Sequence, residues 1–272
     1  MSLVETSWLE KNLDNVKIID CSWHMPQTRR NGFEEYKNQH IPNAIFFDLD
    51  ENSKRNIDLP HMLVDKSDWE KIVSEMGIKN EDIVVVYDNS DVVSSCRCWF
   101  NFIYFGHDPN LVHVLNGGLK KWLKENKKIT NDFPIKSTTQ YKSFEKKHLV
   151  KNKNLIDENI NSQNFKLIDA RSEERFEGKV PEPRKGLRSG NIKNSFCIPF
   201  GNCLNQNGTF KEKEKLREVF SFSLKNLNEK NVVFSCGSGV TACVLALAYS
   251  LINDKYQPCI YDGSWAEYGI IK

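Results

Sequence analysis

Three features of the sequence predict an α/β fold built twice in one chain. Short β-branched runs alternate with helical stretches, the pattern of a mainly parallel sheet flanked by helices. An ordered set of segments recurs at a spacing of about 150 residues. At 272 residues the chain is long enough for two ordinary domains, each with its own core.

The first copy is read as residues 1–126. Its N-terminal stretch, 1–16, carries Glu5, Glu10 and Asp14 and lacks an apolar run. It therefore reads as a helix beginning near Thr6 or Ser7, not as a signal or transit peptide. Ile18-Ile19-Asp20 is a short strand, and Val84-Val85-Val86-Tyr87-Asp88 is a longer one. Asn116-Gly117-Gly118 makes a tight turn into a last helix, Leu119 to Asn126. Trp23, Trp99 and Trp122 are assigned to the core. Residues 127–154 follow, rich in Lys, Ser, Thr and Asn, with Pro134. They read as a surface linker pinned by Phe133, Tyr141 and Phe144.

The second copy is read as residues 155–272, with the same segments in the same order. Leu167-Ile168-Asp169 matches Ile18-Ile19-Asp20, and Asn191 to Ser195 matches His40 to Ala44. Val232-Val233-Phe234-Ser235-Cys236 matches the strand ending at Asp88, and Asp262-Gly263-Ser264 matches Asn116-Gly117-Gly118. The apolar stretch Cys243 to Leu251 reads as a buried helix. The copies differ at one decisive place: Asp88 stands where the second copy has Cys236.

Composition narrows the function classes. Hydrophobic residues make up 39% and the formal net charge is +2, as in a soluble globular protein with no nucleic-acid footprint. Lys211 to Lys215 alternates Lys with Glu, which suits a solvated helix face. No window approaches the roughly 18 apolar residues of a membrane span. Eight cysteines in a chain of this kind point to free thiols and a cytoplasmic setting. Cys96 and Cys98 are too close for a usual zinc hook, and no other group has ligand spacing. Neither a metal nor a cofactor is expected.

The chemistry is expected at Ser235-Cys236-Gly237-Ser238-Gly239-Val240-Thr241-Ala242. A cysteine between strand and helix, with glycine at two of the next three positions, is a candidate activated thiol. The glycines permit a tight loop whose N–H groups turn inward around the sulfur. The following helix offers its positive end to the same atom, and both effects favour thiolate over thiol. Sites in parallel sheets lie beyond the carboxyl ends of strands, where Cys236 falls.

This loop resembles the active-site loop of 3-mercaptopyruvate sulfurtransferases, within the rhodanese superfamily. The resemblance extends over nearly the whole chain, because tandem rhodaneses pair an inactive N-terminal copy with an active C-terminal one. It implies two rhodanese-like domains, with Gly237, Gly239, Val240 and Thr241 lining the substrate site. It also implies that Arg175, in Glu174-Arg175-Phe176, and Arg184, in Pro181-Glu182-Pro183-Arg184, bind the substrate. Arginine suits a carboxylate, since its planar fork donates two parallel hydrogen bonds. Arg171 and Arg188 are nearby competitors. Finally, it implies a Ser–His–Asp array of Ser238, His61 and Asp50, shared between the two domains. A histidine so placed exchanges a proton near neutral pH, and the aspartate fixes its tautomer.

The activity implied is transfer of sulfane sulfur from 3-mercaptopyruvate, through a Cys236 persulfide, to a thiol acceptor such as thioredoxin or a small thiol, with release of pyruvate. The alternative is a thiosulfate sulfurtransferase, delivering sulfur to cyanide or thiols. The resembling thiosulfate enzymes carry Arg and Lys just after the cysteine, where this chain has Gly237 and Ser238. A phosphatase of the Cys-x5-Arg kind is excluded by Ala242, which stands where the arginine is required. A non-catalytic binding module is disfavoured by the intact loop.

Overall fold

The computed structural model describes residues 2–271 and divides into two compact units. The first holds everything described up to Arg55, together with Leu63–Lys146 and Gln206–Thr209. The second holds Asn56–Met62, Lys147–Asn205 and everything described from Phe210 onward.

In the first unit the order is β1 (Leu3–Val4), α1 (Thr6–Lys11), β2 (Lys17–Asp20), α2 (Gly32–Asn38) and β3 (Ala44–Phe46). There follow α3 (Lys66–Glu75), β4 (Val84–Tyr87), α4 (Ser95–Tyr104), β5 (Val112–Leu115) and α5 (Gly118–Lys124). The strands form one parallel sheet in the order β1-β5-β4-β2-β3. Strand β4 is buried at every position, which is why it reads as an uninterrupted apolar run and not as an alternating one. The core gathers Leu9, Ile18, Val85, Tyr87, Leu119 and Trp122. Trp23 and Trp99 are buried as well.

The second unit repeats the plan. Its elements are β6 (Val150–Lys151), α6 (Lys153–Ser162), β7 (Lys166–Asp169), α7 (Glu173–Phe176) and β8 (Phe196–Cys197). Then come α8 (Lys213–Ser221), β9 (Val232–Ser235), α9 (Ala242–Ser250), β10 (Ile260–Tyr261) and α10 (Ser264–Tyr268). The parallel sheet runs β6-β10-β9-β7-β8, the same order copy for copy. Helix α9 is buried on all sides from Ala242 to Tyr249, as an apolar stretch without a polar face must be.

Residues 127–146 run along the first unit. The Thr130 and His40 backbones bond each other, and the amides of Thr139, Phe144 and Lys146 bond the carbonyls of Ser74, Phe105 and Tyr104. Of the three aromatics expected to pin this stretch, Tyr141 is buried, whereas Phe133 and Phe144 are exposed. Phe133 still packs on the Tyr36 ring, with centroids 5.7 Å apart, and backbone hydrogen bonds hold the rest of the stretch.

Candidate active site

The register of the two sheets places the chemistry. Asp20 pairs with Tyr87 across β2 and β4, and Asp169 pairs with Ser235 across β7 and β9. One residue further along, Asp88 and Cys236 leave the carboxyl ends of equivalent strands.

Cys236 is buried at the head of a loop that ends at α9. Gly239 takes a positive φ of 76°, the one turn in the loop that glycine makes without strain. The head of the loop is held by the turn that opens α10, and its middle by Cys243 Sγ, which donates to the Gly239 carbonyl at 3.2 Å. The Cys236 amide donates to Ser264 Oγ at 3.1 Å, and the Cys236 and Gly237 carbonyls accept from the Trp265 and Ala266 amides at 2.9 and 2.8 Å. Among the described residues, the amides of Gly237, Ser238, Val240, Thr241 and Ala242 have no hydrogen-bond partner. Unpaired N–H groups on either side of Gly239, leading into a helix N-terminus, form a receptor for negative charge.

Two guanidiniums flank this loop. A Cβ built on Gly237 would lie 3.3 Å from Arg175 Nη2 and 3.7 Å from Arg184 Nη1. Glycine leaves both guanidiniums close to the loop backbone, and a side chain here would press on Arg175. Arg184 Nη2 also donates to Ser238 Oγ at 3.4 Å. The same hydroxyl stands 2.9 Å from His61 Nδ1. A hydroxyl that accepts from Arg184 still has its proton available for the imidazole nitrogen. His61 is buried at a positive φ of 60°, on the segment Asn56–Met62 that folds with the second unit although it precedes the second copy in sequence.

Arg175 is oriented by Glu182, which accepts from its Nε at 3.2 Å and its Nη2 at 2.5 Å. Glu182 also accepts from Arg171 Nη1 at 2.7 Å, and Arg171 in turn donates to both carboxylate oxygens of Asp169. Arg171 is thus a buried strut, its guanidinium 4.3 Å from the centre of the Trp265 ring, and is not available to a substrate. Arg188 stacks on the same ring at 4.5 Å and on Tyr268 at 5.6 Å. Sequence reasoning missed the strut. Its signal is the Asp169-x-Arg171 spacing, where the first copy has Asp20-x-Ser22.

Asp50 lies in the first unit, where its carboxylate accepts from the Trp23 indole at 2.9 Å. Burial pushes the Cys197, Cys203 and Cys259 thiols to about 12, which makes them inert at neutral pH.

A strand–loop–helix thiol followed by unpaired amides, with two arginines beside it, has the make-up suited to covalent transfer of a group carried on an anion. The chain belongs to the family with the Rhodanese-like domain, matched twice, over residues 5–125 and 152–270. It is 38% identical to the thiosulfate/3-mercaptopyruvate sulfurtransferase 1 of Arabidopsis thaliana, named as mitochondrial, over 98% of this chain and 75% of the relative. It is 34% identical to human 3-mercaptopyruvate sulfurtransferase and 36% identical to rat thiosulfate sulfurtransferase, over 98% of this chain and 91% of each relative. The crystal structure of SseA from Escherichia coli, a 3-mercaptopyruvate sulfotransferase, superposes with a TM-score of 0.87 at 29% identity, covering 97% of this chain and 99% of that one. No helix among the described residues is long and apolar enough to cross a membrane.

Proposed function

We propose that this protein is a sulfurtransferase that takes sulfur from 3-mercaptopyruvate onto Cys236 and passes it to a thiol. The observation that carries this reading is the loop itself: five unpaired amides follow Cys236, and Arg175 and Arg184 lie against Gly237. The Cys236 thiolate attacks the donor sulfur. A sulfur–sulfur bond forms, the carbon–sulfur bond breaks, and its electron pair stays on carbon as the enolate of pyruvate. A proton completes pyruvate, and the Ser238–His61 pair is placed to handle it. The resemblance assigns Asp50 to proton handling as well, and Asp50→Asn should slow proton delivery without weakening donor binding. The arginines hold the donor carboxylate and carbonyl, and the loop from Gly237 to Thr241 cradles the persulfide. A second thiolate, from thioredoxin or a small thiol, then attacks the outer sulfur and restores Cys236.

Thiosulfate is the second donor to consider, since relatives of equal similarity carry its name. Gly237 and Ser238 add no cationic side chain for its dianion, so mercaptopyruvate is favoured. Turnover of both donors on one preparation tests this, with the higher kcat/KM expected for mercaptopyruvate and none for either donor in Cys236→Ser. A higher kcat/KM for thiosulfate reverses the donor assignment, and transfer by Cys236→Ser removes the mechanism. Eight free cysteines accord with a cytoplasmic site of action, and cell fractionation distinguishes this from the mitochondrion.

A further inference from the structure

We propose that Ser264 is a positioning residue for the Cys236 thiol, a reading that rests on Cys236 as the sulfur carrier. The turn Asp262-Gly263-Ser264 matches Asn116-Gly117-Gly118 of the first copy, and both turns lead into the last helix of their unit. The first copy uses Gly118 at a φ of 56°, where a Cβ would lie 2.4 Å from the Asp88 carbonyl oxygen. The second copy keeps the left-handed backbone, with φ of 48°, but places a serine in it. Serine is a poor choice for that conformation on backbone grounds. Its hydroxyl must supply something that glycine cannot.

The hydroxyl has two partners. It donates to the Tyr261 carbonyl at 2.7 Å and accepts from the Cys236 amide at 3.1 Å. Ser264 is fully buried and Cys236 nearly so. The bridge therefore ties the head of the catalytic loop to the end of β10, beside the Trp265 and Ala266 amides that hold the next two carbonyls. The Cys236 N–H is fixed and satisfied by the protein, whereas those of Gly237, Ser238, Val240, Thr241 and Ala242 have no partner among the described residues. In the first copy the Leu119 amide makes the corresponding bond to the Asp88 carbonyl at 2.9 Å, but Gly118 has no hydroxyl to take the Asp88 amide. The serine is thus specific to the copy that carries a thiol.

Ser264→Gly in the full chain is the test. Glycine fits the backbone, so the hydroxyl is lost, with its Cβ, at no conformational cost. The expected result is a fall in kcat of roughly tenfold or more, from an unsatisfied buried amide at the reacting residue, with KM changed by less than about twofold. Alkylation of Cys236, followed peptide by peptide against pH, should move to higher pH. The melting temperature should stay within a few degrees. This alkylation needs no sulfur donor, so it separates failure of this proposal from failure of the proposed activity. Unchanged kcat and an unchanged alkylation profile in a folded variant would overturn the proposal. So would a loss of activity that tracks a lower melting temperature while the alkylation profile stays put. Ser264→Ala keeps the Cβ and removes the same hydroxyl. If neither variant folds, the residue is structural and the positioning role is rejected.

Discussion

The loops after β4 and β9 leave equivalent strands at the same register, and they treat their amides in opposite ways. In the first unit the Asp88 carboxylate accepts from the Ser90 and Ser95 amides at 2.7 and 2.9 Å. Ser22 Oγ takes the Asn89 amide at 2.8 Å, and Ser90 Oγ takes that of Val92 at 3.2 Å. The loop has filled its own cradle with a carboxylate built into the chain. In the second unit a thiol replaces that carboxylate, and five of the following amides have no partner among the described residues. The same contrast appears one strand over. Asp20 and Asp169 make the same turn, each accepting the amide two residues on at 2.9 Å. Only Asp169 also holds an arginine, and that arginine leads through Glu182 to Arg175. One fold thus serves as a closed copy and an open one, and the difference lies in which groups the protein satisfies for itself.

The largest effect should come from closing the open loop. Cys236→Asp places a carboxylate among the free amides and should abolish sulfur transfer, a loss beyond about 10³-fold for a covalent nucleophile, while the fold is kept. The reverse change, Asp88→Cys, should gain no transfer, because the first copy lacks the arginine pair. Measurable transfer dependent on a cysteine at position 88 would show that the amide cradle alone suffices.

A smaller effect is expected where the strut meets the site. Glu182→Gln leaves Arg171 and Arg175 without their shared anion. Loss of a charge-assisted hydrogen bond of about 1.5–3 kcal/mol predicts roughly a 10- to 100-fold drop in kcat/KM for mercaptopyruvate. Alkylation of Cys236 should be unaffected. Unchanged kcat/KM would mean that Arg175 holds its pose without Glu182.

The smallest effect concerns stability. Burial raises the Asp20 carboxyl from its usual 3.8 to about 6, against hydrogen bonds from Ser22 that favour the ionised form. The folded state therefore binds a proton that the unfolded chain has already released between these values. The contribution is full below pH about 4 and lost as pH rises to about 6, by at most about 3 kcal/mol. Asp20→Asn should flatten this slope. Urea midpoints between pH 4 and 7 check it, and an identical slope in both proteins would assign the effect to another group.

Much of this was legible in the sequence, because repeats and strand patterns are local signals. The matched strands and the Cys236 loop follow from β-branched runs, glycine placement and the offset between copies. Arg175 and Arg184 were named through the family resemblance, on the Glu-Arg-Phe and Pro-Glu-Pro-Arg segments, and not from local chemistry alone. What escaped depends on long-range contacts or on backbone conformation. Arg171 looked like a rival ligand because its bond to Glu182, eleven residues on, has no local signal, and the Asp169-x-Arg171 spacing that announces the other was not read. The packing of Asn56–Met62 with the second unit is a tertiary event with no periodicity to betray it. Ser264 read as an ordinary turn residue. Its one clue was a serine aligned with a glycine at a position that demands positive φ.

The central claim is that the open loop carries sulfur on Cys236. Incubation with 3-mercaptopyruvate in the absence of an acceptor, followed by mass spectrometry of the intact chain and its peptides, tests it most directly. The account predicts a gain of about 32 Da, one sulfur atom, on the peptide containing Cys236, removed by a thiol and absent from Cys236→Asp. Turnover with no adduct at Cys236, or with the adduct on another of the eight cysteines, would contradict it.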